Sequence, residues 1–319
     1  MIHCIPVPTP FAVGRVNCYL IDDDPLTLVD AGPNSGTSLV ELEAGLAAHG
    51  RRVEDLERIV LTHQHIDHIG LAQILADRSG AEVCALDALV PFLAGFGENM
   101  AADDAFAGAI MTRHGIPDDI RHALSAVSAS FRAWGAKVTV TTPLVPGEDL
   151  AFAGRTWRIH HRPGHSPSDT VFHDEASGQL LGGDHLIAKI SSNPLISRPL
   201  DGSEGERPQA LRIYLESLAA TRAMDLSLVW PGHGEPVEDH RALIDERGRL
   251  HARRAEKLHR LISEQPRSAF ELAQAMWGNV AVTQAYLTLS EVLGHTDLLL
   301  NDGRVREVES DGVVAFEAT

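Results

Sequence analysis

The segment Thr62-His63-Gln64-His65-Ile66-Asp67-His68-Ile69-Gly70 determines how the rest of this sequence is interpreted. It places four potential metal ligands, three histidines and one aspartate, within six positions. It overlaps the end of Arg58–Thr62, a short apolar run that predicts a buried strand. Residues two apart on a helix point to different sides, so His63 and His65 can share an ion only on an extended loop. Because neutral imidazoles and carboxylates bind zinc and neighbouring first-row metals, the segment predicts a metal site at the end of a strand.

Three later segments repeat the arrangement of a strand that ends in a turn with a metal-binding residue type. They are Pro163-Gly164-His165, Leu181-Gly182-Gly183-Asp184 and Pro231-Gly232-His233. Their glycines permit a close approach of the backbone to neighbouring groups. A single histidine in a turn is common on protein surfaces, so each segment alone is a weak indication. Their joint occurrence after the first cluster predicts one shared site.

The chain around these segments predicts groups of strands with few helices between them. Val16–Ile21 and Leu26–Val29 are β-rich runs, whereas Ser35 to about His49 carries leucines at helical spacing. The later predicted strands are Glu82–Ala85, Lys137–Thr141, Trp157–His161, Thr170–His173, Gln179–Leu181 and Leu226–Trp230. This pattern favours an α+β layered domain over strict alternation of strands and helices.

Residues 87–136 depart from this pattern because they predict helices. Ile120, Leu124, Val127, Phe131 and Trp134 recur at steps of four and three, which is typical of an amphipathic helix. We interpret the segment as a helical insertion over the mouth of the site. Its apolar stripe is predicted to be mainly a packing face, part of which could line a pocket for an apolar acyl group. Ser191–Arg207 is predicted to be a second, loop-like insertion.

The composition and charge exclude several classes of protein. The 319 residues, 44% hydrophobic and 22% charged, are typical of a folded chain with one large or two smaller domains. A formal charge of −17 disfavours indiscriminate binding to nucleic acids or anionic membranes, and no apolar run approaches the ~18–20 residues of a membrane span. The odd number of cysteines, three, and a start without a basic and apolar leader predict a cytoplasmic protein.

The residues from Gly248 onward predict a separate C-terminal unit. A charged helix over Arg249–Ile262 precedes a capping box at Ser268–Glu271, and a further helix is predicted over Thr283–Leu299. Asp311-Gly312 then favours a tight turn between two strands. Three helices followed by a hairpin are the outline of a winged helix. We therefore predict a domain that carries the metal site at 1–247 and a winged-helix domain at 248–319.

The order of these motifs resembles the metallo-β-lactamase superfamily over about residues 10–240. HQHIDH (63–68) is similar to its HxHxDH signature, and PGH (163–165), GGDH (182–185) and PGHG (231–234) are similar to its later ligand motifs. The resemblance implies a four-layer αββα sandwich, here with the helical insertion, whose site lies at one edge of two sheets. The C-terminal sequence resembles the winged-helix domain of the β-lactamase-like protein 2 subgroup.

The resemblance also implies which residues hold two divalent metal ions. One ion would take His63, His65 and His165, and the other would take Asp67, His68 and His233, with Asp184 bridging the two. Asp67 would also act in catalysis by holding the nucleophile through a hydrogen bond. Asp30 matches an aspartate that supports the site from behind the ligands. We expect zinc, with iron and manganese as alternatives because they accept the same ligands.

Two such ions predict a hydrolase. Cations ~3.5–4 Å apart lower the pKa of a shared water to about neutrality and stabilise charge that develops on the substrate. We expect the metal-bridging hydroxide to attack a carbonyl substrate, namely an ester, thioester, lactone or amide. The partner is then a small-molecule substrate, for which the insertion could supply an apolar acyl pocket. The complete second ligand set disfavours the single-iron sulfur dioxygenases of the same superfamily.

Two alternatives use the C-terminal unit instead. A metal-dependent ribonuclease or phosphodiesterase would need cationic contacts, but from Gly248 onward 8 Lys/Arg face 10 Asp/Glu, a net charge of −2. A DNA-binding regulator would use Thr283–Leu299 as its recognition helix, which contains no Lys or Arg. Nucleic acid is therefore not favoured as a partner. We interpret the unit as an interaction or homodimerisation module that also covers one side of the site.

Overall fold

Two mixed β-sheets pack face to face in the computed structural model, which describes residues 1–203 and 205–319. The first sheet contains β1 to β6 in chain order: Ile2–Val7, Val16–Ile21, Thr27–Val29, Arg58–Val60, Glu82–Leu86 and Thr142–Leu144. The second contains β7 to β11: Asp149–Ala151, Thr156–His161, Thr170–Asp174, Gln179–Gly183 and Leu228–Pro231. Strands β3 to β6 pair in parallel, as do β10 and β11, and the other neighbours are antiparallel.

The helices are α1 Gly36–Ala48, α2 Ile66–Ile69, α3 Ala72–Ser79, α4 Val90–Ala94, α5 Phe96–Arg113, α6 Asp118–Phe131, α7 Ala210–Arg222, α8 His240–Glu264, α9 Ala269–Trp277, α10 Val280–Thr283 and α11 Ala285–Asn301. Helices α1 and α3 cover the outer face of the first sheet, and α7 with part of α8 covers the outer face of the second. Ser35, where the predicted first helix begins, caps α1 by accepting a hydrogen bond from the Ser38 amide. None of the helices in the described part of the chain offers an apolar stretch long enough to cross a bilayer.

Three apolar clusters show the order of the layers. Trp157 and Phe172 of the second sheet pack against Tyr19 and other side chains of the first, which fills the space between the sheets. Because successive side chains of a strand point to opposite faces, Leu20 instead packs with the helices α1 and α3. Tyr214 of α7 covers the outer face of the second sheet, together with part of α8. The layers are therefore helices, sheet, sheet and helices, in an α+β protein as predicted.

The strand predictions missed β1, β7 and the short strand Arg267–Ser268, and they misplaced one further strand; two of these failures have identifiable reasons. The strand predicted at Lys137–Thr141 is wrong, because the ladder with β5 begins at Thr142, which pairs with Cys84. The Thr141 hydroxyl accepts the hydrogen bond from the Val83 amide, so a side chain takes the place of a strand partner. Strand β1 was not predicted. It contains Pro6, which lacks an amide donor and is tolerated here because β1 is an edge strand.

The helices predicted at 87–136 are present as α4, α5 and α6, while their interpretation as an insertion stays a prediction. Ile120 and Leu124 of α6 pack against the core of the C-terminal region, which confirms a packing face for part of the apolar stripe. The second predicted insertion is irregular over residues 191–203 and 205–207, and Glu204 lies outside the described residues.

The C-terminal region combines helices with a small antiparallel sheet. Its strands are β12 Arg267–Ser268, β13 Val305–Ser310 and β14 Val313–Ala318, in the order β12-β14-β13. Ser268 and Glu271 form both hydrogen bonds of the predicted capping box at the start of α9. The predicted boundary at 247/248 falls inside α8, whose first part packs on the second sheet and whose last part packs in the C-terminal core. The division into domains and the winged-helix assignment stay predictions.

Candidate metal centre

The structure gathers all seven predicted metal ligands where strands of both sheets end. His63 and His65 lie on the extended segment after β4, as the spacing required, and Asp67 and His68 lie in the short helix α2 that follows. The other three ligands follow strands of the second sheet: His165 after β8, Asp184 after β10 and His233 after β11. Each ligand is therefore carried by a loop or turn that a packed strand holds in place.

The first group of ligands consists of His63, His65, His165 and Asp184, whose ligand atoms all lie within 4.8 Å of one another. His65 Nδ1 is 3.0 Å from His63 Nε2 and 2.9 Å from His165 Nε2. Nitrogen ligands held ~2.0–2.1 Å from one tetrahedral ion lie about 3.3 Å apart. The three imidazoles are therefore close to the separation that a shared ion needs.

The second group consists of Asp67, His68 and His233, again within 4.8 Å of one another. Asp67 Oδ2 lies 3.4 Å from His233 Nε2. Asp184 reaches both groups, since its Oδ1 is 3.5 Å from His68 Nε2 and its Oδ2 is 3.5 Å from the Nε2 atoms of His165 and His233. Asp184 thus stands between the groups, where a bridging ligand has to be.

Asp30 orients one histidine of each group. Its Oδ2 accepts a hydrogen bond from His68 Nδ1 at 2.7 Å, and its carboxylate also accepts from the Thr62 amide and hydroxyl. Since the Thr62 proton is used in this way, His63 Nδ1 donates to the Thr62 oxygen at 3.0 Å. Both imidazoles therefore turn their Nε2 atoms towards the cluster. Asp30 itself has a φ of 60°, a left-handed conformation that aspartate tolerates better than most residues.

Two supports of the site were not predicted from the sequence. His233 Nδ1 donates to the Arg15 carbonyl at 2.8 Å, which directs its Nε2 towards the ligands. The Ser168 hydroxyl donates to Gln64 Oε1 and accepts from the Gln64 amide, so it joins the loop of His63 and His65 to the loop of His165. A backbone carbonyl leaves no signal in a sequence. The serine follows His165 closely in the chain, but only the fold shows its partner.

The residues present fit a pair of divalent cations. His68 Nε2, His233 Nε2 and Asp184 Oδ1 are buried and have no hydrogen-bond partner among the described residues. Buried polar atoms of folded proteins nearly always have a partner, and leaving one unpaired costs about 1–3 kcal/mol. Because all three belong to the cluster, cations at this position account for them.

Burial and neighbouring charges set the protonation of the ligands. Burial lowers the pKa of His63 well below its ordinary value and that of His65 to about 3, so both are neutral at pH 7 and able to bind metal. Burial would raise the pKa of Asp184, but His68 and His233 hold it well below its ordinary value. Burial would lower the pKa of His68 as well, but neighbouring carboxylates, Asp184 among them, raise it well above its ordinary value. His63 and His65 are therefore neutral imidazoles that lie beside a charged pair formed by His68 and Asp184.

Gly232 is required by the close packing of the ligands. A Cβ atom at this position would lie 2.1 Å from Asp184 Oδ1 and 2.8 Å from His68 Cε1. Any side chain here would displace two ligands that belong to different strand ends. The position before His233 therefore has room only for glycine.

A cavity of about 640 Å³ opens over the ligands. Its apolar walls come from distant parts of the chain and include Phe11, Ile66, Phe92, Phe131, Ile187 and Leu287. Phe131, from the apolar stripe of the insertion, packs against Phe11 with ring centroids 5.3 Å apart. The described residues that line the cavity include Asp67, Asp103 and Asp184 but no lysine or arginine. The cavity therefore suits an apolar, uncharged ligand.

Comparison with known proteins gives matches over the whole chain. The family model described as the metallo-beta-lactamase superfamily matches residues 12–233. The chain is 36% identical over 314 residues to the probable metallo-hydrolase YqjP of Bacillus subtilis (strain 168), covering 98% of this chain and 96% of that protein.

Two crystal structures resemble the complete fold. The metallo-beta-lactamase family protein TTHA1429 from Thermus thermophilus has 25% identity and a TM-score of 0.81, covering 100% of this chain and 98% of its own. A beta-lactamase domain protein from Burkholderia ambifaria has 28% identity and a TM-score of 0.82, covering 100% and 92%. Both matches include the C-terminal helices and sheet.

Proposed function

The chain belongs to the metallo-beta-lactamase superfamily, and from this premise we propose that it hydrolyses a carbonyl substrate with water activated by two divalent metal ions. The observation that carries the proposal is the position of Asp184. One carboxylate lies between two groups of ligands, within 3.5 Å of a histidine in each. Such an arrangement is typical of two-metal hydrolases, whose two ions are held by a shared ligand.

Each of the two groups of ligands would hold one ion. We propose that His63, His65 and His165 hold one ion and that Asp67, His68 and His233 hold the other, with Asp184 shared. When bound, the ions would acidify a shared water and stabilise negative charge on the carbonyl oxygen. Asp67 would orient the attacking water with one carboxylate oxygen while it holds its ion. We propose zinc because histidine and carboxylate ligands suit it, and iron or manganese would accept the same residues.

The charge of the cavity favours a neutral carbonyl substrate over a phosphodiester. Several cationic contacts are needed to hold a polyanion such as RNA. Among the described residues that line the cavity there is no lysine or arginine, and the carboxylate of Asp103 is already paired with Arg198 Nε at 3.1 Å. An ester, thioester, lactone or amide requires no such contacts. The ribonuclease alternative is therefore disfavoured by the site itself.

The DNA-binding alternative is disfavoured by the packing of α11. Residues 288–297 of this helix are all buried, against α7, α8 and α9 among other elements. A recognition helix has to present one exposed face to the major groove. The helix that this alternative requires is therefore part of the core.

A panel of substrates tests the proposal. Metal-free protein would be reloaded with zinc, iron or manganese and assayed on chromogenic esters, thioesters, lactones, amides and phosphodiesters, with metal content measured by mass spectrometry. We expect hydrolysis of at least one carbonyl class, dependent on two ions per chain and lost in His68→Ala. Cleavage of phosphodiesters alone, also lost in His68→Ala, would contradict the carbonyl assignment.

A further inference from the structure

We propose that the start of α11 forms a specificity wall of the hydrolytic site, in which Leu287 limits the length of an uncharged, unbranched acyl chain. The inference rests on the function proposed above and names the substrate class more closely. Leu287 and Gln284 line the same cavity as the metal ligands His65 and His233, although they belong to the C-terminal region. The C-terminal region is thereby part of the substrate site.

Leu287 has the exposure expected of a ligand-binding side chain. It is 38% exposed, whereas residues 288–297 that follow it in α11 are buried. Ile190, on the segment after β10, also lines the cavity and is 45% exposed. Two large apolar side chains that face the same cavity provide a surface that an apolar chain can cover.

Hydrogen bonds hold this wall in place. Asn193 Nδ2 donates to the Leu287 carbonyl at 3.1 Å, and the Ile196 amide donates to Ser290 Oγ at 3.3 Å. The Tyr286 hydroxyl donates to the Ile196 carbonyl. The segment that contains Asn193 and Ile196 is thus fixed to the first turns of α11. Leu287 is therefore positioned by packing and by hydrogen bonds.

The chemistry of the cavity identifies the occupant. Phe11, Phe92, Met100 and Phe131 supply further apolar wall, and the described lining offers no cation for a charged tail. The volume of about 640 Å³ lies within the range of ~300–1,000 Å³ that small-molecule sites occupy. A substrate whose carbonyl lies at the metal ligands would extend its acyl chain along these side chains. Each buried methylene then strengthens binding by about fourfold.

Alkyl hydroxamic acids test the wall without the need for turnover. They carry an uncharged alkyl chain next to a head group that chelates metal ions as the hydroxamate. Affinities of the series from two to ten carbons would be measured by calorimetry on the zinc-loaded full-length protein. We expect a gain of about fourfold per methylene up to a limiting length. Leu287→Trp should leave acetohydroxamic acid unaffected and weaken the longest bound homologue by about tenfold or more, whereas Leu287→Ala should move the limit to a longer chain.

Val280→Trp is the matched control, since Val280 lies on α10, is 45% exposed and does not line the cavity. It should leave the whole series unchanged. Suppose that acetohydroxamic acid binds, but that affinity rises with chain length in the same way in wild type, Leu287→Trp and Leu287→Ala. The role of Leu287 as a specificity wall is then refuted, while the proposed function stands. If protein that carries two zinc ions binds no hydroxamic acid, the ions are closed to a carbonyl ligand and the proposed function itself is refuted.

Discussion

The metal centre and the α8–α11 cluster, which consists of His251, Glu291 and His295, both combine buried histidines with carboxylates, but they differ in how these polar atoms find partners. In the α8–α11 cluster His295 Nδ1 donates to the Glu291 carbonyl at 2.6 Å, and its Nε2 lies 3.1 Å from His251 Nδ1. Arg254 pairs with the Glu291 carboxylate. Each close contact therefore has one donor and one acceptor, and only His251 Nε2 lacks a partner among the described residues.

The difference shows that residue types alone do not make a metal site. Three ligand atoms of the metal centre are buried without partners, and loops from both sheets direct them towards one cavity. The α8–α11 cluster lies between two packed helices, where Arg254 already supplies the positive charge that its carboxylate needs. We therefore expect two metal ions per chain at the metal centre and none at the α8–α11 cluster.

The largest effect should follow from Asp184→Asn. Loss of the carboxylate between the groups should lower the metal content below two ions per chain. Because charge stabilisation by a bound metal is worth several kcal/mol, kcat/KM should fall by about 10³-fold or more. Glu291→Gln in the α8–α11 cluster is the matched control, and this variant should keep both ions. An Asp184→Asn protein with two ions and unchanged kcat/KM would contradict the proposed role.

Asp30→Asn should have a smaller effect on the same centre. Asp30 orients His68 and, through Thr62, His63, and loss of such a support typically lowers metal affinity by about 10–100-fold. Competition with a chromogenic chelator measures the affinity. Asp22→Asn, which removes only a surface ion pair with Arg51, should leave the affinity unchanged. Equal affinities in the two variants would mean that Asp30 does not orient the ligands.

Glu291→Gln should affect stability rather than metal binding. The change replaces the charged partner of Arg254, whose side chain is 28% exposed, with a neutral one. Because solvent screens such a pair, the free energy of unfolding should fall by about 1 kcal/mol or less. Urea denaturation of the zinc-loaded proteins measures the difference, and mass spectrometry of the same samples gives the metal content. Release of a third ion on this substitution would show that the α8–α11 cluster binds metal.

His251, which is not a proposed metal ligand, should contribute to the pH dependence of the free energy of unfolding. Burial, with help from His295, Arg254 and Arg247, lowers the pKa of His251 to about 3. The unfolded chain, with a pKa near 6.5 for this group, then binds more protons than the folded chain between about pH 6.5 and 3. Stability is therefore lost as the pH falls through this window, by up to about 1.4 kcal/mol per pH unit from this one group.

His251→Gln removes that contribution. Between pH 6 and 4.5 its free energy of unfolding should fall less steeply than that of the wild type, by about 1.4 kcal/mol per pH unit. Urea denaturation measures the slope of unfolding free energy against pH for both proteins. The metal content is kept the same, because the metal ligands then contribute equally to the two slopes. Parallel slopes would show that His251 is not held neutral in the folded protein.

Much of the metal centre was predictable because its ligands lie in short segments at strand ends. Val16–Ile21 forms the strand predicted from its composition, and the spacing of His63 and His65 already required an extended loop. Contacts between distant segments were not predictable. The Arg15 carbonyl that orients His233 has no sequence signal, and Leu287 reaches the cavity only because α11 packs against the segment that contains Asn193.

Anomalous diffraction at the zinc edge, from crystals of the zinc-loaded protein, tests most directly whether metal binds only at the metal centre. We expect two peaks beside Asp184, one next to His65 and one next to His68, and no peak between His251 and His295. A peak between His251 and His295, or a single peak beside Asp184 at full zinc occupancy, would contradict this expectation.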